Sequence, residues 1–114
     1  MTRLTQTFSA LADPTRLAVV EQLMRDGELP VAALEPKSGI SAPALSRHLK
    51  VLRAAGLIQQ RAQGTQRLYS VRPEALRGIA NWTLDHRAFW EAGLDRLDAM
   101  LAGSTGADGS EDRS

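Results

Sequence analysis

Proline and glycine cut residues 13–73 into short pieces, and the order of those pieces limits what the chain can become. Asp13-Pro14 starts a helix, because an aspartate accepts from free N–H groups and proline suits the first helical position. Leu17, Val20, Leu23 and Met24 form its apolar stripe, and Asp26-Gly27 stop it. Leu29-Pro30 opens a third, short helix with Val31 and Leu34 as its stripe. Pro36, Lys37, Ser38 and Gly39 close it as a turn. Ser41 caps a fourth helix over residues 42–54, and Gly56 ends that helix as a left-handed stop. Leu57–Ala62 and Gln66–Arg72 read as two strands around Gln63-Gly64-Thr65, a hairpin. Ahead of all these, Leu4, Phe8 and Leu11 recur at helical spacing and predict a first helix over residues 2–11. After them, Pro73 starts a helical region that reaches about Leu101, interrupted near Asn81–Asp85.

The length of 114 residues fits one domain that buries its own core without staples. That domain is expected over residues 1–101. The tail, residues 102–114, is small and polar and is expected to be disordered. Cysteine is absent, which excludes disulfides, thiolate nucleophiles and Cys-based zinc sites. The apolar runs are too short for a transmembrane span or a signal-peptide core, so a soluble, cytoplasmic protein with no membrane partner is expected.

Helix, turn with glycine, helix, then hairpin is the layout of a winged helix-turn-helix, so the expected fold class is mainly α with a small β-hairpin. On the fourth helix Leu45, Leu49 and Leu52 share one face, while Pro43, Ser46, Arg47 and Lys50 share the opposite one. Such a helix anchors by its leucines and offers its polar N-terminal side to a major groove. There Arg47 and Lys50 donate to guanine edges or phosphates, and Ser41 and Ser46 reach bases or backbone. Arg53, further along, suits a phosphate. In the hairpin Arg61 and Arg67 flank Gly64 and Thr65, small or polar residues that fit against a sugar-phosphate backbone. Tyr69 is read as a core residue, since it shares a strand face with Val71.

Charge agrees with this. The formal net charge is only +1, yet Lys37 to Arg77 holds eight of the fourteen Lys and Arg residues and a single acid, Glu74. A basic middle between acidic flanks is the footprint of polyanion binding, because phosphate neutralisation with counterion release dominates nucleic-acid affinity. The competing account is a winged-helix module that binds an acidic protein partner and no specific DNA.

Three stretches resemble the ArsR/SmtB family of repressors. They are Phe8 to Leu17 (FSALADPTRL), Ile40 to Ile58 (ISAPALSRHLKVLRAAGLI) and the wing Gly64 to Tyr69 (GTQRLY). The resemblance implies a homodimeric winged-helix repressor that binds an inverted-repeat operator and releases it on sensing something, such as an unknown small-molecule effector. It also implies that the first and last helices of two subunits pack together, which gives Leu4, Phe8, Phe89, Trp90, Leu94, Leu97 and Leu101 an interface role. Core packing is the more common fate of Trp82 and Trp90, although both could line a ligand pocket.

The family's metal sensors typically carry Cys-x-Cys on the third helix, where this chain has Glu28 to Leu34 (ELPVAAL). Asp85 and His86 are adjacent, point about 100° apart on a helix, and lack a third histidine to complete a site. No metal and no cofactor are therefore expected, and the chain resembles the family's ligand-poor, SdpR-like branch. His48 is read as structural or as a phosphate neighbour. No phosphate loop, catalytic carboxylate pair or HExxH is present in the sequence, so no enzyme activity is expected.

Overall fold

A computed structural model describes residues 2–104, apart from the side chains of residues 35–38 and 104. Among the described residues the helices are α1 Arg3–Leu11, α2 Pro14–Asp26, α3 Val31–Ser38, α4 Ala42–Ala54, α5 Pro73–Asp85 and α6 Arg87–Ser104. The strands are β1 Leu29–Pro30, β2 Ile58–Gln63 and β3 Gln66–Val71. They form one antiparallel sheet in the order β1-β3-β2. The chain divides into two units, Met1–Ile79 and Ala80–Ser114. The fold class is a winged helix-turn-helix, mainly α, with one strand more than the hairpin requires.

That extra strand corrects the sequence reading, in which Leu29-Pro30 opened a helix. Leu29 pairs with Tyr69 and Pro30 with Leu68, while Pro30 also caps α3 with extended backbone. Proline is tolerated here because β1 is an edge strand, where one missing N–H costs no interior ladder bond. The third helix also runs further than its turn residues suggest, through Pro36 to Ser38, and Gly39 ends it in the left-handed region. Pro36 lacks an N–H donor, but this near the helix end the loss is a single bond. At the other end of the chain α6 extends to Ser104, past the expected start of the tail. Residues 105–114 of that tail lie outside the described residues.

The first unit is held by a core of Val19, Val20 and Leu23 on α2, Leu34 on α3, Leu45, Leu49 and Leu52 on α4, and Leu57, Ile58 and Tyr69 around the sheet. Leu45 and Leu52 are fully buried. Burying each such leucine contributes about 1.5–3 kcal/mol, so the leucine face of α4 is what fixes that helix on the body. Gly56, at φ 79°, turns the chain from α4 into β2, and its neighbour Leu57 donates to Leu52 O at 3.0 Å. At the hairpin tip Gly64 has φ 62° while Thr65 does not cross into positive φ. That is the pattern of a two-residue turn with glycine first, whose twist matches the strands it joins.

The α1–α2 junction is built around Asp13 and Arg16. Arg16 N donates to Asp13 Oδ2 at 3.0 Å, the capping bond expected of Asp13. Arg16 Nε donates to Ala10 O at 2.6 Å, satisfying a carbonyl at the C-terminus of α1. Arg16 Nη1 lies 3.3 Å from His48 Nδ1 on α4, and because arginine only donates, His48 Nδ1 accepts. His48 therefore joins α4 to α2, the structural one of its two expected roles.

The Arg16 amide holds the Asp13 carboxyl below the usual carboxylate range. A carboxyl lowered on folding stabilises the fold above its unfolded pKa and loses that contribution as pH falls through the folded value. Asp13→Asn keeps a capping side chain but removes this titration. The variant is expected to lose less stability than wild type between pH 5 and pH 3, measured by urea unfolding at each pH. Equal losses in both proteins would contradict that role for Asp13.

In the second unit the break between helices falls at His86, just after the segment expected to hold it. His86 links the two helices, by its ring on one side and its main-chain carbonyl on the other. His86 Nδ1 donates to Trp82 O at 2.8 Å, and Trp90 N donates to His86 O at 3.0 Å. Trp82 packs on the His86 ring at 4.9 Å and edge-on to Trp90 at 5.8 Å, and Phe89 meets Trp90 at 5.4 Å. These aromatic rings pack on one another.

Candidate nucleic-acid interface

Helix α4 presents two chemically opposite faces. At about 100° per residue, Pro43, Ser46, Arg47 and Lys50 fall within one arc of about 100°, away from Leu45, Leu49 and Leu52. All four are exposed. Among the described residues no hydrogen bond or ion pair engages Ser46, Arg47 or Lys50, so their polar groups point to solvent uncommitted. The helix begins at Ser41, whose Oγ accepts from Ala44 N at 3.3 Å. The cap uses one acceptor lone pair of that hydroxyl and leaves its O–H as a donor. The free amides of the first turn remain a favourable place for a phosphate.

The hairpin formed by β2 and β3 supplies the second basic element, with Gly64 and Thr65 exposed at its tip and Arg67 exposed on β3. Its base is tied to α4 through Gln60, a residue the sequence reading did not single out. One orientation of the Gln60 amide satisfies every neighbour. Nε2 donates to Tyr69 Oη at 2.9 Å, and Oε1 accepts from Arg53 Nη2 at 3.1 Å and Arg67 Nη1 at 3.3 Å. A single carbonyl thus draws together a guanidinium from the recognition helix and one from the wing. The buried Tyr69 ring confirms its core assignment, and its hydroxyl holds the amide in place.

Beside this bridge lies a cavity of about 440 Å³ lined by Lys50, Arg53, Ala54, Ile58, Gln59, Gln60 and Arg72. Three of its seven lining residues are cationic. Arg72, whose Nε lies 3.7 Å from Glu74 Oε1, was not singled out in the sequence because it follows the last strand residue and its position is set by β2–β3 pairing. Only its place in the basic block hinted at a role.

Arg61 is placed differently from its expected companions. Its Nε and Nη2 donate to Glu28 Oε2 and Oε1, each at 2.8 Å, so its guanidinium is already engaged by a carboxylate. The expected interface residues of α1 and α6 also sit largely on the surface. Leu4 is half-buried, Phe8 and Trp90 are exposed, and Phe89, Leu94 and Leu97 are 65%, 58% and 48% exposed. No cluster of three or more His, Cys, Asp or Glu side chains able to hold a metal occurs among the described residues. Nor is any described helix long and apolar enough to cross a membrane.

A helix-turn-helix domain family matches residues 11–61, the segment from the end of α1 into β2. The HTH-type transcriptional regulator Rv2034 of Mycobacterium tuberculosis is 41% identical over 103 residues, covering 90% of this chain and 92% of that protein. The transcriptional repressor SdpR of Bacillus subtilis is 31% identical over 78 residues, covering 65% of this chain and 86% of that protein. A solved ArsR family transcriptional regulator superposes with a TM-score of 0.69 at 31% identity, over 78% of this chain and 91% of its own. The chain belongs to the ArsR family of winged helix-turn-helix regulators.

As an ArsR-family member the chain is a DNA-binding transcriptional regulator. Helix α4 is the second helix of its helix-turn-helix. The ArsR wing is the β2–β3 hairpin, and Gln60 joins the two.

Proposed function

We propose that the chain is a cytoplasmic repressor that binds an inverted-repeat operator as a homodimer and performs no catalysis. The observation that carries this reading is α4 itself, whose leucine face is buried while Arg47 and Lys50 stand exposed on the other side without a partner among the described residues. In this reading Pro43, Ser46, Arg47 and Lys50 meet the major groove, Arg53 meets a phosphate, and Ser41 marks the helix start where a phosphate can dock. Gly64, Thr65 and Arg67 follow the adjacent backbone.

One recognition helix reads only a few base pairs, so a two-fold pair of helices is needed to read a palindrome. The exposed apolar side chains of α6, with Phe89, Leu94 and Leu97 among them, and of α1, with Phe8 beside the half-buried Leu4, are the surfaces a second copy would cover. A small-molecule effector that releases DNA belongs to the same reading.

A gel-shift with the DNA upstream of the protein's own gene tests it. A sequence-specific, salt-sensitive shift is expected, and its absence would favour the protein-interaction module. Metal sensing is not expected. Adding Zn²⁺ to the bound complex should leave the shift unchanged, and release of the DNA would contradict that expectation.

A further inference from the structure

Arg61 and Glu28 are joined across the whole width of the sheet. Arg61 lies on β2 opposite Leu68 of β3, and Leu68 in turn lies opposite Pro30 of β1. Glu28 stands just before β1, so the Arg61 side chain must cross the row held by Leu68 to reach it. The span is two interstrand steps, about 9–10 Å at the usual spacing.

Leu68 shares the sheet face on which Arg61 lies. It is only 8% exposed, yet it is not part of the core cluster that includes Tyr69 beside it. Neighbouring strand residues face opposite sides of the sheet, so Leu68 and its cross-strand partner Arg61 lie on the face opposite Tyr69. The contact is a bidentate fork with both bonds at 2.8 Å, the geometry that makes an exposed ion pair count. Each partner also favours the charge of the other: the hydrogen bond from Arg61 lowers the Glu28 carboxyl, and Glu28 raises the Arg61 guanidinium.

We propose that Glu28 and Arg61 form a strap that sets the wing on the body, which makes Arg61 a positioning residue for DNA binding rather than a phosphate ligand. The DNA half of this proposal rests on the operator-binding reading above; the strap itself does not.

Two measurements on the purified chain test it. In hydrogen exchange without DNA, Glu28→Gln is expected to speed the wing amides Ala62–Arg67 by about two- to fivefold, the range of a well-formed surface ion pair. Unchanged exchange there would overturn the strap, whatever DNA does. In fluorescence anisotropy with a labelled duplex carrying the footprinted upstream site, Glu28→Gln is expected to weaken binding by about two- to fivefold with an unchanged salt slope.

The opposite sign is diagnostic. Tighter binding, with a slope steeper by about 0.9, would show that Glu28 had been masking a phosphate-binding cation, and would overturn positioning. Arg61→Lys separates the roles again, because lysine keeps the charge but cannot form the fork. It should behave like Glu28→Gln, whereas wild-type affinity would overturn the proposal. Joining Glu28→Arg with Arg61→Glu restores the pair reversed and should recover affinity; failure to recover it counts against positioning. If the wild-type chain binds no duplex at all, the operator reading fails and positioning fails with it, while hydrogen exchange still decides the strap.

Discussion

Leu45→Ala is expected to cost about 2–5 kcal/mol of stability, the range for deleting a fully buried leucine side chain. Leu45 is 0% exposed and lies in the one core cluster that also holds Leu49, Leu52, Val20 and Ile58. The leucine face is what holds α4 on the body, so a cavity at Leu45 loosens the helix that carries the polar face. Thermal unfolding followed by circular dichroism checks it. With about 4–8 °C per kcal/mol for a domain of this size, a fall of at least about 8 °C is expected. Leu45→Met conserves volume and should cost less than about 1.5 kcal/mol. A loss below about 1 kcal/mol for the alanine variant would mean that α4 is not anchored through this seam.

Arg47→Ala should leave that stability within about 0.5 kcal/mol, since the side chain is exposed and has no intramolecular partner among the described residues. Its effect belongs to DNA. If Arg47 reads a base edge, the loss is about 1–3 kcal/mol for the operator, and much less for unrelated duplex. The variant thus loses discrimination as well as affinity. Lys50→Ala provides a contrast. If Lys50 meets a phosphate, it should weaken binding to all sequences alike and flatten the salt slope by about 0.9. Anisotropy titrations with operator and scrambled duplexes at several salt concentrations measure both quantities. Unchanged operator affinity in Arg47→Ala would remove Arg47 from the interface.

What could be read from the residues depended on how local the determining interactions are. α4 was legible to its boundaries, because Ser41, Pro43 and Gly56 act within a few residues and the leucine spacing is regular. The hairpin was legible because Gly64 supplies the one positive φ its turn needs. β1 was not, since a two-residue strand has no alternation to detect and its proline reads locally as a helix start. Its existence depends on pairing with Tyr69 and Leu68, about forty residues away.

The interface divides along the same line. The exposed positions of Arg47 and Lys50 on α4 could be read from helical geometry alone. The partners of Arg53, Arg61 and Arg67 could not, because Gln60 and Glu28 reach them only once the sheet has formed. Arg61 is the clearest instance: in one dimension it is another basic residue beside a turn, and in three it is bound to a carboxylate across the sheet.

DNase footprinting of the purified chain on the DNA upstream of its own gene, repeated across a salt series, tests the DNA-reading role most directly. The expected result is a discrete protected site with two half-sites centred about 34–36 Å apart, one turn of the duplex, weakening steeply as salt rises. Protection confined to one half-site would contradict the two-fold arrangement, and no discrete protection at any salt concentration would contradict sequence-specific DNA recognition by this helix and wing.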